Sequence, residues 1–283
     1  MLSSNSVLTS ILIPISLAVA IRRPATPFLW DVFHAPELPV STAVLVDAPV
    51  NIGTSHALAD WVSAIIGNKA LTHIYITHGQ DNHFLGIPVL QQHFPDMIAE
   101  ATERNIAHVA EQLNFAEFVE SWSATFPDQI PTQDETIQPL PLEGKFYLED
   151  HLLQAVGFGQ SDTYNTTVLH IPCLELVITG DAVYGECFQY LVETNTAELR
   201  AEWIRAVAKI ETLRPKIVVP SHKQIWDGYG RDHLENTGQY IKNCEILLEV
   251  TTSAEDLKKK ITALYVQRVG VWILGTSFLT RIV

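Results

Sequence analysis

Three stretches of this 283-residue chain place imidazole or carboxylate groups directly behind an apolar run. Ile74-Tyr-Ile76 leads into Thr77-His-Gly-Gln-Asp-Asn-His83. Leu176-Val-Ile-Thr179 leads into Gly180-Asp-Ala-Val-Tyr184. Lys216-Ile-Val-Val219 leads into Pro220-Ser-His222. A fourth stretch, Gly157-Phe-Gly-Gln-Ser-Asp-Thr163, follows the apolar segment at Leu152–Val156. Neutral imidazole and carboxylate are good ligands for zinc or iron, and they also move protons near neutral pH. A single histidine or aspartate at such a place has an ordinary use as a hydrogen-bonded turn or cap residue. The same residue types recurring behind several strands are the informative feature, because a rigid strand fixes the loop that follows it.

The elements that must position these loops alternate between strand-like and helix-like patterns. Ser41–Val46 reads as a buried strand. Thr54 or Ser55 then caps a helix with Leu58, Trp61, Val62 and Ile65 on one face. Ile74–Ile76 is a short strand. A helix is expected from Asp96 to Phe118, with Ile106, Val109, Ala110 and Leu113 in phase. Pro127–Pro141, rich in Pro, Gln and Thr, reads as an exposed connection. Strands follow at Lys145–Leu148, His151–Val156, Thr166–Ile171 and Glu175–Thr179, mostly antiparallel. A helix spans Thr196–Leu213, and Lys216–Val219 is a further strand. Helices at Leu234–Val250 and Ser253–Tyr265 close the chain, the second with a capping-box-like start at Ser253 and Asp256. Two sheets packed face to face with helices outside would bury all these apolar faces.

Composition narrows the function classes. Hydrophobic residues make up 47% of the chain, enough for a sizeable core, and charged residues only 18%. The net charge of −14 repels phosphate backbones, which argues against nucleic acid as the main partner. Cys173, Cys187 and Cys244 are odd in number and form no Cys-x-x-Cys pair, so they read as buried apolar residues, not as disulfides or thiolate ligands. Val7–Ala20 is an apolar run ending in Ala18-Val-Ala20. It suits a signal-peptide core followed by a cleavage site, which would make the protein secreted, or a buried strand of a cytoplasmic protein. It is too short for a stable membrane span. The expected organisation is an N-terminal segment of residues 1–25, a main domain of 26–252 and a helical extension of 253–283.

Thr77-His-Gly-Gln-Asp-Asn-His83, Gly157–Thr163, Thr179–Tyr184 and Val218–His222, taken in this order, resemble the metallo-β-lactamase superfamily. Its pattern is T-H-x-H-x-D-H, a later histidine after a glycine turn, G-D, and a final histidine. Leu45-Val-Asp-Ala-Pro49 and Leu58-Ala-Asp-Trp61 are similar to the family's opening. The resemblance runs over about residues 30 to 250, and it implies a four-layer αββα sandwich. Residues 253–275 are more loosely similar to an extension of some microbial and fungal members.

The departures from that pattern are uneven. For one metal the family uses positions occupied here by His78, Gln80 and Gln160. For the other it uses those of Asn82, His83 and His222, with Asp181 bridging. A neutral amide oxygen is a weak donor, so the first site is nearly emptied. His83, Asp181 and His222 remain as a set for one ion, Zn²⁺ or alternatively Fe²⁺. His78 is then available as an acid or base beside Asp181. Asn82 is placed to add a carbonyl oxygen or to hold a water beside the ion, and Asp81 would partly stand in for the missing aspartate if the loop is shifted by one residue. The resemblance implies a metal-dependent hydrolase acting on an ester, thioester, lactone or amide of a small organic molecule, of polyketide type by analogy with fungal relatives. Two other readings stay open: an isomerase, dehydratase or cyclase with His78 and Asp181 as acid and base, and an inactive fold used for binding. Phe84, Phe158, Tyr184, Trp226 and Tyr229 are candidates for lining the mouth of a small-molecule pocket.

Overall fold

The computed structural model describes residues 9–14, 29–32, 41–114, 122–132, 136–271 and 273–274. They fall into two compact units. One comprises Thr9–Val156 with Ile171–Leu174, the other Gly157–His170 with Glu175 onward.

The first unit is built on a six-stranded mixed sheet of β1 (Thr9–Pro14), β2 (Leu29–Val32), β3 (Thr42–Val46), β4 (Ala70–Tyr75), β5 (Ile98–Ala101) and β6 (Ile137–Pro139), in the order β2-β1-β3-β4-β5-β6. β3 is a continuous apolar run, as expected of a central strand covered on both faces. β4 to β6 continue beside it in parallel. Of the apolar run Val7–Ala20, residues 9–14 form β1, antiparallel to β3. The rest of that run, with the Ala18-Val-Ala20 site, lies outside the described residues.

Helix α1 (Ile52–Ile66) is capped by Asn51, whose side chain accepts the Thr54 N–H at 2.9 Å. The cap lies three residues before the expected Thr54. Asn51 has the extended backbone an N-cap needs, whereas Thr54 and Ser55 are already helical and return their hydroxyls to the Asn51 carbonyl. The buried face is Ser55, Leu58, Ala59, Val62 and Ile66, with Trp61 and Ile65 packed partly against the same core as Ala43, Leu45 and Ile74. Helix α2 (Ile87–His93) follows the loop after β4.

The single helix expected over Asp96–Phe118 is instead a strand, β5, and then a helix, α3 (Glu103–Asn114); residues 115–118 lie outside the described ones. Thr102 divides the two. Its Oγ1 accepts the Asn105 N–H and its carbonyl the Ile106 N–H, so helical bonding begins there and Ile98–Ala101 is left to pair with β4. Four residues are too few for periodicity to separate strand from helix. The buried face of α3 also differs from the expected one. Val109 is buried, but its buried neighbours are polar: Asn105, His108 and Gln112. Ile106 is half-buried, and Ala110 and Leu113 are exposed. The connection at Pro127–Pro141 contains β6 and buries Ile130 and Leu140.

A hairpin of β7 (Lys145–Leu148) and β8 (His151–Gly159) follows, and the boundary between the units falls within β8. In the first unit the Phe146 ring of β7 stacks on Tyr75 of β4 at 5.8 Å.

The second unit contains β9 (Thr166–Ile171), β10 (Leu176–Ile178) and β11 (Ile217–Val219), the last two parallel. Its helices are α4 (Ala197–Thr212), α5 (Asp232–Glu249) and α6 (Ala254–Leu264). Thr196 caps α4, and Ser253 caps α6 by accepting the Asp256 N–H, as the sequence predicts. The segment behind α6 is fastened to the rest of this unit. The Arg268 guanidinium lies between the rings of Tyr240 (4.6 Å) and Tyr265 (5.0 Å) and donates to the Cys187 carbonyl at 2.6 Å. Cys187 and Cys244 are buried, while Cys173 is exposed, because it sits in a surface turn and not in the core. Among the described residues no helix is long and apolar enough to cross a membrane.

Candidate metal centre

In the first unit the site begins at Asp47, directly behind β3. Its φ of 58° is a left-handed conformation that aspartate tolerates better than most residues. That turn aims its carboxylate along the end of β4. Oδ1 accepts the Thr77 N–H at 2.8 Å, and Oδ2 accepts the Thr77 hydroxyl at 2.8 Å. Oδ2 also accepts from His83 Nδ1 at 3.0 Å. The Thr77 hydroxyl has given its only proton to Asp47, so it accepts from His78 Nδ1 at 2.9 Å. All four side chains are buried. The Nδ1 proton of both histidines is thereby fixed by one carboxylate, His83 directly and His78 through Thr77. Nε2 is the nitrogen each ring could offer to an ion. The two rings lie with centroids 4.0 Å apart.

Helix α3 supports this loop from beneath. The Asn105 amide donates to the carbonyls of Ile76 (3.3 Å) and Thr77 (2.9 Å). Position 79 has no room for a side chain, since a Cβ there would meet His108 Cβ and Cγ at 2.5 Å. Burial lowers the His108 pKa to about 4, with the nearby Glu111 carboxylate opposing the shift only in part. His108 is therefore a neutral packing partner at working pH.

The replaced positions have other employment. The Gln80 amide oxygen lies 3.3 Å from His78 Nε2. Asp81 does not shift into the place of the missing aspartate: Trp122 Nε1 donates to its Oδ2 at 2.7 Å, and the Asn82 N–H to its Oδ1 at 2.8 Å. Asn82 itself is half-buried in the same turn of 3-10 helix, Asp81–His83.

In the second unit Asp181 occupies a 3-10 turn behind β10, and His222 follows β11. His222 Nε2 donates to Asp181 Oδ2 at 2.9 Å, and the Tyr184 hydroxyl donates to the same oxygen at 3.1 Å. The Tyr184 ring stacks on His222, with centroids 5.1 Å apart and 15° between planes. Burial first, and then the charges of Asp181 and Asp162, push the Tyr184 pKa well above its ordinary value. Tyr184 thus stays a neutral donor. Gln160, in the place of the family's mid-chain histidine, donates to the carbonyls of Ser161 and Glu193 and to Thr194 Oγ1. Its amide anchors the 193–194 loop.

Of the aromatic residues expected at a pocket mouth, Phe84 and Tyr184 are buried packing residues. Lys209 Nζ lies over the Phe158 ring and Lys223 Nζ over Tyr229. Trp226 alone of the five is mostly exposed, at 64%. Sequence reasoning passed over Asp47 as a functional residue, although it stands behind an apolar strand like the others. It also missed Asp162, a buried carboxylate whose charge acts on Tyr184.

Mixed sheets flanked by helices, with imidazoles and carboxylates in the loops behind parallel strands, define an α/β protein with a candidate metal centre. The model of the metallo-β-lactamase superfamily matches residues 43–222, and the chain belongs to that superfamily. Solved structures agree on the fold, which is the αββα sandwich expected from the motifs. A metallo-β-lactamase family protein from Thermus thermophilus is 13% identical, with a TM-score of 0.62, over 84% of this chain and 82% of that one. The FIM-1 metallo-β-lactamase from Pseudomonas aeruginosa, in its mono-zinc form, is 19% identical, with a TM-score of 0.52, over 75% and 83%. A metallo-β-lactamase from Pontibacter korlensis is 18% identical, with a TM-score of 0.52, over 72% and 83%. No curated protein matches the chain.

Proposed function

We propose that the protein is a hydrolase that uses one divalent metal ion, zinc before iron, to cleave an ester, thioester or lactone of a small organic molecule. By their places in the motifs at 77–83 and 179–184, His78, His83 and Asp181 would hold the ion. His222 would join them through its bond to Asp181. The observation that carries the reading is the Asp47 network, which holds the Nδ1 side of both imidazoles, His83 directly and His78 through Thr77, so that each would coordinate through Nε2. A buried carboxylate behind a ligand histidine is a common device for orienting metal-binding imidazoles. Gln80 and Gln160 in place of two ligands favour one ion over two, and the mono-zinc FIM-1 enzyme is an example of one ion in this fold.

The metal would supply Lewis acidity toward a carbonyl oxygen and acidity to water. The chain's own groups do the rest. Asp181, held by the neutral Tyr184 hydroxyl, is an acceptor for a proton. To coordinate through Nε2, His222 would carry its ring proton on Nδ1.

The test is elemental analysis of chain purified without chelator, with His83→Ala and His222→Ala beside it, combined with ester and thioester hydrolysis assays. Metal in the parent, reduced in both variants, and hydrolysis abolished by a chelator are expected. A parent that stays metal-free after refolding with zinc or iron contradicts the reading, and so does turnover that survives complete metal removal.

A further inference from the structure

The loop behind β10 and the loop behind β11 belong to the same unit and carry Asp181 and His222. Four residues past His222, Trp226 brings an exposed indole, and Asp227 follows it half-buried. Asp227 Oδ2 accepts the Glu186 N–H at 2.8 Å from the first loop and the Gln224 N–H at 2.7 Å from the second. One carboxylate oxygen therefore ties both loops together. Neighbouring bonds run the same way: the Gly185 N–H donates to the His222 carbonyl at 2.8 Å, Gln224 Nε2 to the Glu186 carbonyl at 3.3 Å, and Trp226 Nε1 to Glu186 Oε2 at 3.1 Å. The approach is close enough to exclude any side chain at position 185. A Cβ there would lie 2.4 Å from Asp227 Oδ2 and 2.7 Å from Lys223 Cβ.

We propose that Asp227 is a positioning residue, holding the Asp181 loop and the His222 loop in fixed register so that the two side chains meet with the geometry a metal needs. The inference rests on the metal reading of Asp181 and His222 for its purpose, but the clamp itself is a property of the loops. Backbone N–H groups bonded to a carboxylate make stronger contacts than neutral pairs, and two of them converge here without any contribution from the ligands themselves. Asparagine at 227 retains an oxygen that can accept both N–H groups, whereas alanine retains none.

The experiment is done on the full chain with two readouts, Co²⁺ titration followed by visible absorption and amide hydrogen exchange of Glu186 and Gln224. In Asp227→Ala both amides should exchange faster, and Co²⁺ affinity should fall about 10- to 100-fold, the usual effect of losing a group that orients a ligand. Asp227→Asn should restore most of both. Unaltered Co²⁺ affinity in Asp227→Ala with both amides exposed overturns the inference, because the clamp would then not act on the ligands. If Asp227→Ala does not fold, the parent decides: Glu186 and Gln224 amides exchanging at the rate of an unstructured chain show that the clamp is not made. A parent that binds no Co²⁺ at all contradicts the metal reading instead. The exchange data then judge the clamp alone, and equal protection in parent and Asp227→Ala rejects it.

Discussion

His83 Nδ1 donates to Asp47 Oδ2 at 3.0 Å, joining two buried side chains 36 residues apart in the sequence. The same carboxylate takes both donors of Thr77. Asp47→Asn keeps the tolerance for a left-handed backbone but leaves one acceptor oxygen for three donors. Buried donors left without partners cost roughly 1–3 kcal/mol. The variant should lose about that much stability in urea denaturation and bind Co²⁺ about 10- to 100-fold more weakly. Unchanged values on both counts would show that the network does not orient the histidines.

Gly79 and His108 form a steric pair in the first unit. Gly79→Ala should destabilise the chain by about 1–3 kcal/mol, since the added methyl forces apart a loop and a helix that already touch. The cost should largely disappear when His108→Ala is present. A double-mutant cycle measures this, and strictly additive effects would exclude the contact.

His108 also predicts a pH dependence. Its folded pKa of about 4 lies below the ordinary histidine value of 6.5, with burial as the main cause. Between those values the unfolded chain binds a proton that the folded chain does not. The contribution is fully present above pH 6.5 and is lost as the pH falls toward 4, with a slope of up to about 1.4 kcal/mol per pH unit. His108→Gln should flatten the stability profile in this window relative to the parent. Parallel profiles for the two proteins would contradict the assignment.

Arg268 lies between two tyrosine rings and bonds the Cys187 carbonyl, all within one unit. A lysine keeps the charge but not the planar stacking or the fixed direction of its N–H groups. Arg268→Lys should cost about 1–2 kcal/mol and speed amide exchange at Arg268 and Val269. Thermal denaturation and exchange mass spectrometry would show it, and an unaltered exchange pattern would mean the segment is held by other contacts.

The chain alone determined the family and the loops that hold the candidate ligands. His78, His83, Asp181 and His222 are legible because apolar strands run straight into polar loops, a local pattern that needs no knowledge of packing. The strands at Lys145–Leu148 and Thr166–Ile171 were legible for the same reason. What tertiary structure decided depends on contacts between distant residues. Thr102 ends a strand and starts a helix where periodicity reads one helix. Asn105 and His108 are buried because the polar loop at 77–83 lies against them, and Gln112 bonds His108 beside it, which no amphipathic pattern reveals. Asp81 looked like a shifted ligand until Trp122 claimed it, and Gln160 like a weak one until the 193–194 loop did. Asp47 and Asp227 are common residues in ordinary loops. Only the fold brings each carboxylate to the donors that give it a role, because hydrogen-bond partners are set by proximity in space and leave no spacing rule in the sequence.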